Sequence, residues 1–103
     1  KIKQRKDLFY LYLESLTKKQ TFYQLSFQSI KISIDSDCLN EQNIEYMANN
    51  TEGFSGREIA KLIIAAEYHT LLSENKVLTV NLLREVLQIK ISERIVKSKY
   101  LTQ

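Results

Sequence analysis

The sequence predicts a small all-α domain of four helices with a short extended excursion near residues 22–34. Apolar residues recur at helical spacing in four segments, and one of these opens on a full set of helix-start signals around Ser55. The 103 residues are enough for a single domain, residues 1–103. With 44% hydrophobic and 26% charged residues, the composition is that of a folded globular domain and not of a disordered chain.

Charge is unevenly distributed along the chain, although the net charge is only +3. Residues 1–19 carry six basic and two acidic groups, residues 35–58 carry six acidic and one basic, and residues 90–99 carry four basic and one acidic. No row of Lys and Arg with interleaved aromatic residues follows one helical face. Solvated helix faces therefore explain the charges better than a nucleic-acid footprint, and we expect no nucleic-acid partner.

Three further features of the sequence limit the class of protein to which it could belong. No apolar run is long enough to span a membrane, so no membrane span is expected in this chain. The start at Lys1 has neither an initiator methionine nor the apolar core of a signal peptide, which predicts a fragment or a processed product. Cys38 is the only cysteine and has no His neighbour at metal-ligand spacing, so we expect neither an intrachain disulfide nor a metal site.

The first helix is expected from residue 3 to about residue 19. Phe9 and Tyr10 widen its apolar stripe, and we interpret them as packing against a neighbouring domain or a partner. The stripe predicted to face inward consists of Leu8, Leu11, Tyr12, Ser15 and Leu16.

Helical spacing is lost from Gln20 onward. Ile30, Ile32 and Ile34 alternate with polar residues in a β-branched pattern that predicts an extended segment over residues 29–34. Residues 22–27 are the candidate for the other arm of a hairpin.

A short second helix is expected over residues 40–49, with Asn40 as its N-cap. Its apolar residues are Ile44, Met47 and Ala48. A helix of this length is not stable alone, so we expect it to dock on the central helix described next.

The central helix is predicted over residues 55–73. Ser55 is a good N-cap, Glu58 completes a capping box, and Phe54 and Ile59 occupy the two positions of a hydrophobic staple. Apolar residues form two stripes, so we expect the helix to be covered on two sides. The first stripe is Ile59, Leu62, Ile63, Ala66 and Thr70, and the second is Ala60, Ile64, Tyr68, Leu71 and Leu72.

The end of the chain is predicted to hold a turn, an extended pair and a last helix. Residues 74–76 make the turn, with Asn75 as the expected left-handed residue. Residues 77–78 enter the core, and Thr79 caps a helix over residues 79–92. We expect it to end near residue 92 because the apolar pattern is mixed beyond that point.

Nothing in the sequence is equipped to hydrolyse a nucleotide. There is no Gly-x-x-x-x-Gly-Lys-Ser/Thr loop and no apolar strand ending in paired acids, and the chain has only two glycines. His69 lies within the central helix without a Ser, Cys or Asp arranged to work with it, which favours a structural role. We therefore predict no catalytic residue in this chain.

The stretch Thr51-Glu52-Gly53-Phe54-Ser55-Gly56-Arg57-Glu58-Ile59-Ala60-Lys61-Leu62 resembles the second-last helix of the helical lid that follows the nucleotide-binding domain in AAA ATPases. The spelling Gly-Arg-Glu-Ile-Ala-Lys-Leu is most similar to the mitochondrial inner-membrane AAA ATPases that carry an N-terminal coiled coil. Residues 4–16, 43–48 and 77–79 resemble the first, second and last parts of the same lid. Residues 21–34 do not match, and we interpret them as a chain-specific insertion.

The resemblance implies a C-terminal lid that closes over the adenine side of an ATP site formed mainly by an absent core domain. Such a lid relays nucleotide state to neighbouring subunits of a hexamer, with Mg carried by the core domain. It also implies a mitochondrial location associated with the inner membrane. The resemblance puts Gly53, Phe54, Ser55, Gly56 and Arg57 close to the adenine and ribose. ATP hydrolysis is then expected only if the core domain belongs to the same protein.

Two points stay open at the level of sequence. Gly56 leaves free amides and room for a flat ring at the helix start, an independent reason to consider a ligand there. Arg57 stands one position before the lid arginine that senses the terminal phosphate in the wider superfamily, so a solvent-facing or interface salt bridge is favoured for it over that sensing role. The alternative function is a non-catalytic, lid-like accessory subunit of a larger mitochondrial assembly, with the aromatic residues of the first helix forming an interface.

Overall fold

The computed structural model describes residues 1–18, 21–23, 28–30 and 32–101, and it confirms the predicted all-α class. Its four helices are α1 (Ile2–Lys18), α2 (Glu41–Asn49), α3 (Gly56–Leu72) and α4 (Val80–Leu101). Four short strands accompany them: β1 (Thr21–Tyr23), β2 (Gln28–Ile30), β3 (Ser33–Ile34) and β4 (Val77–Leu78). A 3-10 helix covers Ser36–Leu39. Within the described ranges no helix has the length and apolarity needed to cross a membrane.

All four helices contribute to one core. Its fully buried side chains confirm the first predicted stripe of α3 and the apolar residues predicted for α2 and for the first half of α4. Burial of these apolar groups is the main favourable term that holds the helices together. The core includes Phe9 and Leu13 of α1, Ile44 and Met47 of α2, Ile59, Leu62 and Ala66 of α3, and Leu83 and Leu87 of α4.

The buried stripe of α1 is rotated from the predicted one. Phe9 and Leu13 are fully buried, whereas Leu11, expected to face inward, is 60% exposed. Positions 9, 13 and 16 lie on one helical face, and that face packs on α2 and α3. Tyr10 and Tyr12 are half-buried against the same core. The aromatic residues of α1 are therefore mainly core residues.

Three of the five residues in the second stripe of α3 are exposed, which corrects the expectation that this helix is covered on two sides. Ile64, Tyr68 and Leu72 are 61%, 57% and 70% exposed. Helix α2 does not cover them, because it packs mainly on α1 and not on α3, so the prediction that it docks on the central helix is wrong. Arg5 of α1 strengthens that contact by donating from Nε to the Ala48 carbonyl oxygen of α2 at 3.0 Å.

The predicted extended excursion is present and divides into two strand pairs. Strands β1 and β2 form an antiparallel hairpin in which Thr21 pairs with Ile30. The predicted arm over residues 22–27 is described only for residues 22–23, and residues 24–27 lie outside the described ranges. Strand β3 leaves the hairpin and pairs in parallel with β4, so that Ser33 lies beside Val77.

Two predictions near α4 are wrong. Lys76, and not Asn75, adopts the left-handed conformation, with φ of 53°. Ser73 helps to fix this turn because its Oγ accepts from the Lys76 amide at 3.2 Å. Helix α4 continues to Leu101 instead of ending near residue 92, since residues 92–101 contain no Gly or Pro to stop it.

Candidate functional site

The start of α3 has the predicted capping box. Ser55 Oγ accepts from the Glu58 amide at 3.1 Å, and the Ser55 amide donates to Glu58 Oε1 at 2.9 Å. Ahead of the cap, Gly53 turns the chain with φ of 85°, a conformation that favours glycine. These local devices fix the position of every residue from 53 to 58.

Arg94 of α4 lies against this helix start. Its Nε donates to Glu58 Oε2 at 2.9 Å, and its Nη2 donates to the Gly53 carbonyl oxygen at 2.9 Å. The guanidinium carbon also lies 4.7 Å from the centre of the Phe54 ring, a cation-π distance. Arg94 therefore contacts three residues of the motif, namely Gly53, Phe54 and Glu58. No sequence pattern had pointed to Arg94.

The electrostatics of the site are governed by this contact. The hydrogen bond from Arg94 is the largest cause that lowers the pKa of the Glu58 carboxyl, followed by the backbone hydrogen bond from Ser55. The carboxylate also lies in the first turn of α3, where negative charge interacts favourably with the helix dipole. Glu58 is consequently held as an anion at the entrance of the helix.

The five predicted site residues lie together, but not all face the same way. Phe54 is half-buried, whereas Ser55, Gly56 and Arg57 are exposed. A Cβ added at Gly56 would lie 3.6 Å from Leu8 Cδ1, so one side of the first turn faces α1 and is less open than expected. The amides of Gly56 and Arg57 have no hydrogen-bond acceptor among the described residues.

Arg57 faces solvent, as one of its two favoured roles requires, and an interface salt bridge to another protein body stays a prediction. Its side chain is exposed and has no salt bridge within the part of the chain that the structure describes. The cation that contacts the motif is Arg94. No local sequence signal identifies Arg94, because the contact depends on how α4 packs against α3.

Two shallow cavities lie on either side of the Phe54 and Arg94 contact. The larger has a volume of about 350 Å³ and the smaller about 250 Å³. The larger is also lined by Asn50, Glu52, Ile91, Ile95, Ser98 and Lys99, and the smaller by Glu58, Lys61, Lys90, Glu93 and Lys97. Both cavities present the Phe54 ring and the Arg94 guanidinium, which suit a flat ring, whereas the free amides of Gly56 and Arg57 lie outside them.

The described residues contain no group of three His, Cys, Asp or Glu that could hold a metal ion. His69 is exposed in the last turn of α3, away from the helix start.

A second polar network runs from the partly buried Arg84 into the core. Arg84 Nε donates to Asn43 Oδ1 at 3.2 Å, and Asn43 Nδ2 donates to the Cys38 carbonyl oxygen at 2.8 Å. Cys38 Sγ donates to the Leu78 carbonyl oxygen at 3.4 Å. Burial, followed by the charges of Asp35 and Asp37, raises the pKa of the Cys38 thiol to about 11. The thiol is therefore neutral and unreactive near pH 7.

Comparison with protein-family models, curated proteins and solved structures gives no match for this chain.

Proposed function

We propose that the chain is the C-terminal lid of a hexameric AAA ATPase of the mitochondrial inner-membrane type. In this function the lid closes over the adenine side of an ATP site formed mainly by a core domain outside this sequence. The core domain also carries the Mg ion, and the lid relays nucleotide state to neighbouring subunits. The location at the mitochondrial inner membrane rests only on the resemblance of the sequence of residues 51–62 to that group.

One observation carries the proposal: the five residues of the motif, which include the Phe54 ring, lie together at one helix start beside the Arg94 guanidinium. The Phe54 ring and the free amides of Gly56 and Arg57 offer the two kinds of contact that a nucleotide needs, one for a flat base and one for an anion. The positive charge of Arg94 at the same point is paired with the Glu58 carboxylate. These contacts support a role at the edge of a nucleotide site.

The exposed stripe of α3 supports a partner in either reading of the function. Ile64, Tyr68 and Leu72 form an apolar surface of the kind that another protein body covers. In the lid this body is the core domain or a neighbouring subunit. In the alternative, a non-catalytic accessory subunit, it is another protein of a larger mitochondrial assembly. The buried position of Phe9 removes one reason for the alternative.

The first experiment separates these two functions by the size of the native protein. A mature chain near 12.1 kDa favours the accessory subunit. A chain several times larger, with a Gly-x-x-x-x-Gly-Lys-Ser/Thr loop encoded upstream of Lys1, favours the ATPase. Absence of that loop from the parent gene would remove the lid proposal.

The second experiment tests the binding role in the full-length protein, using binding of an ATP analogue. Gly56→Leu adds bulk at the helix start on the side of Leu8, so its free energy of unfolding is measured beside its affinity. If the fold keeps its stability, we expect nucleotide binding to weaken about tenfold or more. Gly56→Ala is the matched control, because its Cβ makes only an ordinary contact with Leu8 and the affinity should stay near the wild-type value. Unchanged affinity in Gly56→Leu would mean that the helix start faces away from the nucleotide.

A further inference from the structure

The guanidinium of Arg94 has a fixed orientation at the start of α3. Its Nε donates to Glu58 Oε2 and its Nη2 donates to the Gly53 carbonyl oxygen, both at 2.9 Å. The N–H groups of a guanidinium lie in its plane, so two acceptors in different directions fix the orientation of that plane. A third contact puts the guanidinium carbon over the Phe54 ring, 4.7 Å from its centre. A ligand that contacts this group therefore does not have to order it first.

The side of Arg94 that faces away from Phe54 is open. The Arg94 side chain is 42% exposed, and it lines both cavities at the helix start. Its charge is already paired with the Glu58 carboxylate, so the contact that it still offers is one on the flat face of the guanidinium. Guanidinium groups stack on aromatic rings and on unpaired nucleic-acid bases. The open side of Arg94 therefore suits a flat ring.

The larger of the two cavities suits a base better than the smaller one. Beyond the Phe54 and Arg94 contact, its walls include the apolar side chains of Ile91 and Ile95. In the smaller cavity Phe54 is the only apolar lining residue, and the others are all charged. A ligand pocket is typically apolar, with a few polar groups that orient the ligand. The larger cavity has this composition.

Two hydrogen-bond acceptors also line the larger cavity. Asn50 Nδ2 donates to the Tyr46 carbonyl oxygen at 2.8 Å, which leaves Asn50 Oδ1 without a partner among the described residues. The Glu52 carboxylate is exposed and has no hydrogen bond or ion pair within the same ranges. Such acceptors suit the polar edge of a base, which an aromatic side chain such as Phe lacks.

We propose that Arg94 contacts the nucleotide directly and that the base stacks on its open face in the larger cavity. This inference rests on the proposed nucleotide role, and it adds the residue that holds the base. Phe54 supports the guanidinium from the other side and remains part of the cavity wall. Loss of one such stacking contact typically weakens binding about tenfold or more.

Binding of an ATP analogue and of inorganic tripolyphosphate to the full-length protein tests the proposal. Arg94→Lys keeps the positive charge but removes the planar group, so the affinity for the ATP analogue should fall about tenfold or more. Tripolyphosphate has no base, and its affinity should stay near the wild-type value. A general loss of structure would instead weaken the binding of both ligands.

Arg84→Lys is the matched control, because the guanidinium carbon of Arg84 also lies over an aromatic ring, 3.8 Å from the centre of Tyr46. Arg84 belongs to the network that runs into the core, so this variant should bind the ATP analogue like the wild-type protein. A wild-type protein that does not bind the analogue would overturn the proposed function and this inference together. If the wild-type protein binds it and Arg94→Lys binds equally well, only the inference is overturned. An equal loss for both ligands in Arg94→Lys would also overturn the inference alone.

Discussion

Arg94 and Glu58 lie 36 residues apart in the chain and form an ion pair with 2.9 Å between Nε and Oε2. The other carboxylate oxygen of Glu58 accepts the hydrogen bond from the Ser55 amide that completes the cap. One side chain thus closes the start of α3 and holds the second half of α4. The cap geometry and the position of α4 are consequently linked through a single carboxylate.

Replacing Glu58 by Gln should remove an acid-dependent part of the stability. The native-state pKa of Glu58 is lowered, so its contribution is present above the unfolded-state pKa and is lost as pH falls through the native-state pKa. We expect the wild-type chain to be more stable than Glu58→Gln near pH 7 and the difference to shrink toward pH 2. Urea unfolding at several pH values measures this, and a constant difference would contradict it.

Gly53→Ala should destabilise the chain by about 1 kcal/mol because Gly53 has a left-handed backbone. The Cβ itself would lie 3.7 Å from the Arg94 guanidinium, so a clash contributes little. Gly56→Ala is the control at a helical position, where we expect no loss of stability. Thermal and urea unfolding of both variants measure the two losses of stability. Equal losses would contradict a left-handed backbone at Gly53.

Two leucines of α3 should respond very differently to truncation. Leu62 is fully buried, so Leu62→Ala should cost about 2–5 kcal/mol. Leu72 is 70% exposed, so Leu72→Ala should change the free energy of unfolding by less than about 0.5 kcal/mol. Urea unfolding of the isolated chain measures both values. A large loss at Leu72 would mean that the second stripe is covered even without a partner.

Cys38 should make the stability fall at alkaline pH. Its native-state pKa is raised from 9.0 to about 11, so its contribution is complete below pH 9 and is lost as pH rises through about 11. The free energy of unfolding should therefore decrease more steeply over this range in the wild-type chain than in Cys38→Ala. If the free energy of unfolding fell equally with pH in the two proteins, the burial of a neutral thiol would be contradicted.

Local signals predicted the parts of the fold that depend on near neighbours. The cap at Ser55 needs only Glu58 three residues later, and the cap at Asn40 needs only its own short helix. Both are confirmed because the interacting groups are adjacent in the chain. The common location of residues 53–57 at one helix start was predictable in the same way because they are contiguous, whereas ligand binding by them stays a prediction.

The features that local sequence patterns did not predict depend on tertiary packing. Both stripes of α3 are apolar, so nothing local tells that Ile64 is exposed and Ile63 buried. Helix α4 continues past residue 92 although its later residues have no buried face. The pattern of apolar residues in the sequence therefore does not mark the end of this helix. Arg94 reaches Glu58 only after two helices have packed, so no spacing rule could find the pair.

The parallel pairing of β3 with β4 has a kinetic consequence. Ser33 and Val77 are far apart in sequence, and the Asp35 amide donates to the Leu78 carbonyl oxygen at 2.9 Å across the same junction. A contact of this kind closes a long loop and is entropically costly before the intervening helices have collapsed. The junction should therefore form late in folding, and exchange of the Asp35 amide with solvent deuterium reports how often the ordered chain reopens there.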